Sequence, residues 1–126
     1  MSEQELCKTA LKGTETIFEK ILKKEIPSSF VYEDEKSIVL KDINPQAPVH
    51  LLIIPKKKIT CIEDAAEDDT EILGHLLQVG KKVAKDMDLN NGYRLVINNG
   101  MEGCQSVYYL HVHLLGGKQL SWPPGC

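Results

Sequence analysis

The sequence predicts an α+β domain in which an antiparallel five-stranded sheet carries two main helices over one of its faces. Two observations point to it. Five segments of strand length, rich in apolar and β-branched residues, lie between turn signals at 30–33, 37–41, 49–54, 93–98 and 107–115. A longer segment repeats its apolar residues at helical spacing, and the chain order is helix, hairpin, strand, helix, hairpin. The 126 residues suit one domain with one core. Residues 1–12 read as a flexible N-terminal segment, 13–126 as the single domain, and 118–126 as its C-terminal arm.

Thr16 and Glu19 have capping-box spacing, and Ile17, Phe18, Ile21 and Leu22 follow on a short helix that Pro27 is expected to end. Phe30–Glu33 and Ser37–Lys41 read as a hairpin turning at Asp34–Lys36. After the loop Asn44–Pro48, the apolar run Val49–Ile54 forms a strand stopped by Pro55. Lys56-Lys57-Lys58 is a short basic run that reads as a solvated strand exit. From about Asp69 to Met87, the stripe Ile72, Leu76, Val79, Val83 and Met87 marks an amphipathic helix. Acids at its start and Lys81, Lys82 and Lys85 toward its end suit the helix dipole. Tyr93–Asn98 alternates as a strand and turns at Asn99-Gly100, before a flexible loop to Gly103. Val107–Leu115 is the last strand; Gly116-Gly117 ends it, and Trp122–Gly125 is an irregular tail.

The formal charge of −3 weakens a bulk electrostatic case for DNA or RNA, though not for a small anionic ligand. No window approaches the roughly 20 apolar residues of a membrane span, and the acidic start resembles neither a secretory nor a transit peptide. Cys7, Cys61, Cys104 and Cys126 are scattered with no CxxC pair, which favours free thiols in a reducing compartment.

The chemistry-bearing residues gather around one short strand. Strand periodicity puts Tyr109, His111 and His113 on one face and Leu110, Val112 and Leu114 on the other. From spacing alone, paired histidines leave three readings open: metal ligation, acid–base or nucleophilic chemistry, or no function. Ser106 offers a hydroxyl near the strand entrance, and Gly100–Gly103 can turn amides toward an anion. Asp42, between an apolar strand and a proline loop, can accept two ribose hydroxyls or cap the loop. His50 opens the next strand. His75 lies off the apolar stripe of the long helix and reads as a helix-surface or interface residue.

The stretch Ser106–Gly117 resembles the signature of the histidine-triad superfamily, in which three histidines alternate with apolar residues. The similarity also takes in Thr16–Phe18, Lys24–Pro27, Asp42–Pro48, His50–Lys56, Gly92–Arg94, Asn98, Gly103, Gln105–Val107 and Trp122–Gly125. Together these resemble the histidine-triad nucleotide-binding branch, the purine nucleoside phosphoramidases. The resemblance implies a half-barrel α+β fold whose two protomers form a ten-stranded sheet. It implies attack by His111 on the α-phosphorus of a nucleotide conjugate, with His113 on the phosphate and leaving group and His50 as a further active-site histidine. By the same resemblance Asp42 holds the ribose, and Phe18, Ile21, Ile26, Leu40 and Ile43 wall the base. Asn98, Gln105 and Ser106 contact the phosphate or leaving group, and Trp122 reaches the partner's site. The first triad position is Tyr109 in this chain, which does not itself touch the phosphate but can orient a neighbour by hydrogen bonding. Lys58 stands where close relatives often carry histidine.

The implied activity is hydrolysis of purine nucleoside 5′-phosphoramidates with no cofactor and no metal, in the cytoplasm and also the nucleus. A non-catalytic nucleotide-binding scaffold dimer is the alternative. A zinc protein using His50, His111 and His113 is a third reading, and it needs tetrahedral convergence of those side chains.

Overall fold

The structure, a computed structural model, describes residues 12–125. The flexible segment expected at 1–12 therefore lies outside the described residues except for Lys12, as do Cys7 and Cys126. Cys61 is a buried free thiol.

Helix α1 spans Ile17–Leu22. Its N-terminus is closed by the capping box: Glu19 N–H donates to Thr16 Oγ1 (3.3 Å) and Thr16 N–H to Glu19 Oε1 (3.0 Å). It stops well before Pro27, because Lys24 takes a left-handed backbone (φ 63°) just beyond the C-cap Lys23. Strands β1 (Tyr32–Glu33), β2 (Ser37–Lys41), β3 (Val49–Pro55), β4 (Tyr93–Val96) and β5 (Val112–Gly116) form one antiparallel sheet in the order β1-β2-β3-β5-β4. Helix α2 spans Thr70–Asp86 and follows two 3₁₀ turns, Ile62–Asp64 and Glu67–Asp69.

The two helices do not share a face of the sheet, contrary to the expectation from sequence. Leu51, Ile53, Val112 and Leu114 pack with Leu76, Val79 and Val83 of α2. Leu40, Leu52 and Ile54 pack on the other face with Phe18 and Ile21 of α1. The physical reason is legible in β2 and β3, whose apolar residues run consecutively rather than alternating, so both faces must be covered. Of the long-helix stripe, Leu76, Val79 and Val83 are fully buried, while Ile72 and Met87 pack at its margin. Gly80 lets α2 approach closely: a Cβ there would stand 3.1 Å from both Ile53 Cδ1 and Leu95 Cδ2.

The last strand is shorter than expected. It begins at Val112, and residues 107–111 leave the ladder as a bent segment. The basic run is not merely solvated either. Lys56 pairs with Glu33 of β1 (2.8 Å), Lys57 with Asp69 at the start of α2, and Lys58 with Glu19 of α1 (2.9 Å). Three consecutive lysines thus reach three different elements from the exit of β3.

His75 has a partner in the β1–β2 turn. Its Nε2 lies 2.8 Å from Asp34 Oδ2, which also accepts from the Tyr32 hydroxyl (2.9 Å). Asp34 Oδ1 accepts from the Lys36 and Ser37 amides (2.8 Å each) and from Ser37 Oγ (3.0 Å). Burial alone would raise the Asp34 pKa, but the hydrogen bonds from Lys36, Tyr32, Ser37 and His75 outweigh it and hold the carboxyl well below the usual range. A depressed carboxylate contributes stability that is full above its unfolded pKa near 4 and is lost as pH falls toward the lower folded value. Asp34→Ala should therefore cost about 2 kcal/mol at pH 7, and the gap from the parent should narrow at pH 3. Urea unfolding at the two pH values checks this; a gap equal at both would remove the carboxylate from the account.

Candidate active site

A cavity of about 960 Å³ opens on the α1 face of the sheet. Its wall is apolar where Phe18, Ile21, Leu40, Ile43, Leu52 and Phe30 meet, and polar where Asp42, Ser106, His111 and His113 converge. Strand pairing places these groups. His50, Leu52 and Ile54 alternate with the α2-facing residues of β3, and His113 does the same on β5. In the β3–β5 register Leu52 lies opposite His113 and His50 opposite Leu115, so the two histidines are diagonal neighbours on one face.

The hydrogen bonds assign the protons. The Gln46 amide donates to His50 Nδ1 (3.0 Å), so neutral His50 carries its proton on Nε2. That Nε2 lies 2.9 Å from His113 Nδ1 and 3.4 Å from Asp42 Oδ2. His113 Nδ1 is then an acceptor, and its own proton sits on Nε2. His111 Nδ1 lies 2.7 Å from the Tyr109 carbonyl, which can only accept; Nδ1 therefore carries the proton and Nε2 the lone pair. The His111 and His113 rings meet edge-on at 4.9 Å between centroids, and Phe18 stacks edge-on against His111 at 5.1 Å. One imidazole thus carries a lone pair on Nε2 and its neighbour, 4.9 Å away between centroids, an N–H on Nε2, the two complementary forms that a nucleophile and a proton donor require. Burial, then the neighbouring His111 and His50, push the His113 pKa down to about 3, so this ring stays neutral near pH 7.

Asp42 is held by the loop it leaves: Oδ1 accepts from the Asn44 amide (2.8 Å) while Oδ2 faces His50. Leu40 and Ile43, flanking it, line the cavity with Ser106. Six of the site residues singled out in the sequence do not line it: Ile26, His50, Asn98, Gln105, Tyr109 and Trp122, with His50 set behind Asp42 and His113 as their partner. Ile26 packs against the α1 cluster. The Asn98 amide reaches the Cys104 carbonyl at 3.5 Å. Gln105 is fully buried; its Nε2 donates to the Thr60 and Val107 carbonyls and its Oε1 accepts from the Gly100 amide, bracing the preceding loop. The Gly100–Gly103 loop also stands outside the lining. Trp122 is 80% exposed, with the Arg94 guanidinium 5.9 Å from its ring centroid and Arg94 Nη2 donating to the Ser121 carbonyl.

Tyr109 differs from the expectation in a specific way. Its hydroxyl points away from the histidines, to the carbonyls of Pro55 (2.6 Å) and Lys56 (3.0 Å), and its backbone carbonyl is what touches His111. Burial, and then the charge of Glu19, raise the phenol's pKa, so it is a neutral donor. Sequence reasoning also missed Phe30 and Leu52 as cavity walls. Leu52 was legible from its two-residue spacing to His50.

Asp42, His50 and His113 each offer one ligand atom, all within 4.8 Å of one another. A carboxylate with two imidazoles is a donor set suited to zinc. The trio differs from the one considered from sequence, because Asp42 rather than His111 completes it. An ion there would replace the proton now shared between His50 and His113.

The fold has a counterpart among known proteins. A model of the HIT domain matches residues 23–120. The chain belongs to the HIT family. A HIT family hydrolase from Legionella pneumophila Philadelphia 1 superposes with a TM-score of 0.85 at 50% identity, covering 88% of this chain and 100% of that one. A maize protein named 14 kDa zinc-binding protein is 60% identical over 98% of both chains. An Arabidopsis thaliana protein named adenylylsulfatase HINT1 is 54% identical over 87% of this chain and 76% of its own length.

In this HIT domain the folded pKa of His113 lies below the unfolded value near 6.5, so the unfolded chain takes up that proton first. The contribution of neutral His113 to stability is full above about pH 6.5 and declines as pH falls toward 3, by up to about 1.4 kcal/mol per pH unit. His113→Asn should remove this component. In a series of urea unfolding curves from pH 7.5 to 4, the parent should lose stability more steeply than the variant; parallel losses would contradict the buried neutral assignment.

Proposed function

We propose that the protein hydrolyses the P–N bond of purine nucleoside 5′-phosphoramidates, of the AMP-amine or AMP-lysine type, through a nucleotidyl-His111 intermediate. The observation that carries this is the Nδ1–H bond from His111 to the Tyr109 carbonyl, which leaves the Nε2 lone pair beside the Nε2–H of His113. The apolar wall around Phe18 and Ile43 receives the base, and Asp42 accepts the vicinal ribose hydroxyls. His111 attacks the α-phosphorus as the P–N bond breaks. The departing nitrogen must gain a proton, because an amide anion leaves poorly; His113, with Ser106 or a bound water, delivers it. Water then adds to phosphorus, releasing the nucleoside monophosphate and restoring His111. The name of the Arabidopsis relative, adenylylsulfatase, adds AMP joined to sulfate as a substrate to try. Sulfate leaves without needing that proton, so such a conjugate would depend less on His113.

The assembly belongs to the same proposal. Among the described residues strand β4 is paired on one side only, by β5, and Leu77, Tyr93 and Ile97 are exposed. A second copy joined at that edge makes the ten-stranded sheet of a homodimer. Trp122 on the arm then reads the leaving group in the partner's site. Asn98 and Gln105 act on the phosphate side through the loops they brace. No helix among the described residues is long and apolar enough to cross a membrane; the cytoplasm, with the nucleus, is the compartment proposed.

A second reading is zinc binding at Asp42, His50 and His113, favoured by the convergence of their donor atoms and by the name of the maize relative, a zinc-binding protein. Calorimetry with zinc separates the two: stoichiometric binding lost in His50→Ala, in a protein with no turnover, would favour zinc.

His111→Ala should abolish turnover of adenosine 5′-phosphoramidate while sparing the fold, and parent-like hydrolysis in that variant would sink the nucleophile assignment. Charge-assisted hydrogen bonds contribute about 1.5–3 kcal/mol. Asp42→Ala should accordingly weaken AMP by about 10- to 100-fold and 2′,3′-dideoxy-AMP far less. Equal weakening of the two ligands, measured by calorimetry, would leave Asp42 as a loop cap.

A further inference from the structure

His111 lies just outside the sheet. The β3–β5 ladder begins with Ile53 opposite Val112, so the backbone that carries His111 is held by something other than strand pairing. Three hydrogen bonds tie the bent segment 107–111 to the exit of β3. The Leu110 amide donates to the Ile59 carbonyl (2.7 Å), and the Tyr109 hydroxyl is shared between the carbonyls of Pro55 (2.6 Å) and Lys56 (3.0 Å). Tyr109 is 1% exposed, and Phe18 packs edge-on against both its ring and that of His111. The carbonyl of this same residue accepts the His111 Nδ1 proton at 2.7 Å.

We propose that Tyr109 is the positioning residue for His111: its buried hydroxyl anchors the residue on the Pro55 and Lys56 carbonyls, so that its own backbone carbonyl fixes the tautomer and direction of the His111 ring. The chemistry of the anchor suits the task. A hydroxyl donates to carbonyls, and burial together with the Glu19 charge disfavours the phenolate that would repel them. Phe18 supports the ring from α1, and the Lys58–Glu19 pair holds α1 against the same exit of β3. If Tyr109 loses its hydroxyl, the carbonyl is free to turn. His111 then exchanges Nδ1–H for Nε2–H, and the lone pair leaves the cavity side. Displacements of about 1 Å at a reacting group cost on the order of 100-fold in rate.

The inference rests on His111 being the attacking group, but its test does not require turnover. Imidazole ¹⁵N shifts of the full chain report the His111 tautomer directly. The parent should show Nδ1–H alone, and Tyr109→Phe a mixture of tautomers. With adenosine 5′-phosphoramidate the variant's kcat should fall about tenfold or more, with KM within about twofold, because the base and ribose contacts are untouched. A parent protein already mixed in tautomers would overturn the proposal whether or not the variant folds. So would a folded Tyr109→Phe that keeps a single Nδ1–H tautomer, even with a lowered melting temperature, since that is the mark of a merely structural hydroxyl. A parent with the single tautomer but no hydrolysis would leave Tyr109 in place and reject the hydrolase reading instead.

Discussion

The pairing of β3 with β5 is the constraint on which the site depends. Leu52 faces His113 across the ladder and His50 faces Leu115, so a two-residue period on each strand brings both histidines to the face that α2 does not cover. A slip of one residue would send His50 and His113 into the α2 core and bring Leu51 and Leu114 to the cavity. The register is held by apolar burial on both faces: Leu51, Ile53, Val112 and Leu114 against α2, and Leu52 and Ile54 toward α1. The same packing that stabilises the fold therefore decides which side chains can meet a ligand.

Within that frame, backbone groups set the chemistry of the imidazoles. The Gln46 amide fixes the proton of His50, His50 fixes that of His113, and the Tyr109 carbonyl fixes that of His111. Each ring has one nitrogen committed to the protein, which determines what the other can do. Burial reinforces the outcome by keeping His113 neutral, so that it donates a hydrogen bond without adding charge beside its neighbours. Two histidines close together thus differ in role because their second nitrogens meet different partners.

Much of this was legible in the sequence where it depends on local pattern. The capping box of α1, the bounds of β2 and the buried stripe of α2 follow from spacing and propensity, and the structure has them at Thr16–Glu19, Ser37–Lys41 and Leu76–Val79–Val83. The helix end at Leu22, ahead of the left-handed Lys24, and the late start of β5 were not, because each reflects a local backbone conformation that residue types do not announce. The three lysines after β3 read as solvated because their acidic partners, Glu33, Asp69 and Glu19, come from three distant segments. Gln105 was similarly opaque: a polar residue beside the histidine strand looks like a ligand contact until its three backbone partners are seen. The groups that fix the tautomers are an amide and a carbonyl, present in nearly every residue and visible only in the fold.

The central claim is that His111 carries the nucleotide during turnover. Mixing the full chain with adenosine 5′-phosphoramidate, quenching on the millisecond-to-second scale and mapping the mass increase by peptide mass spectrometry tests it most directly. The account predicts an acid-labile nucleotidyl group on His111 that appears before product accumulates and disappears as substrate is exhausted. Steady hydrolysis with no adduct at any quench time, or with the adduct on another side chain, would contradict it.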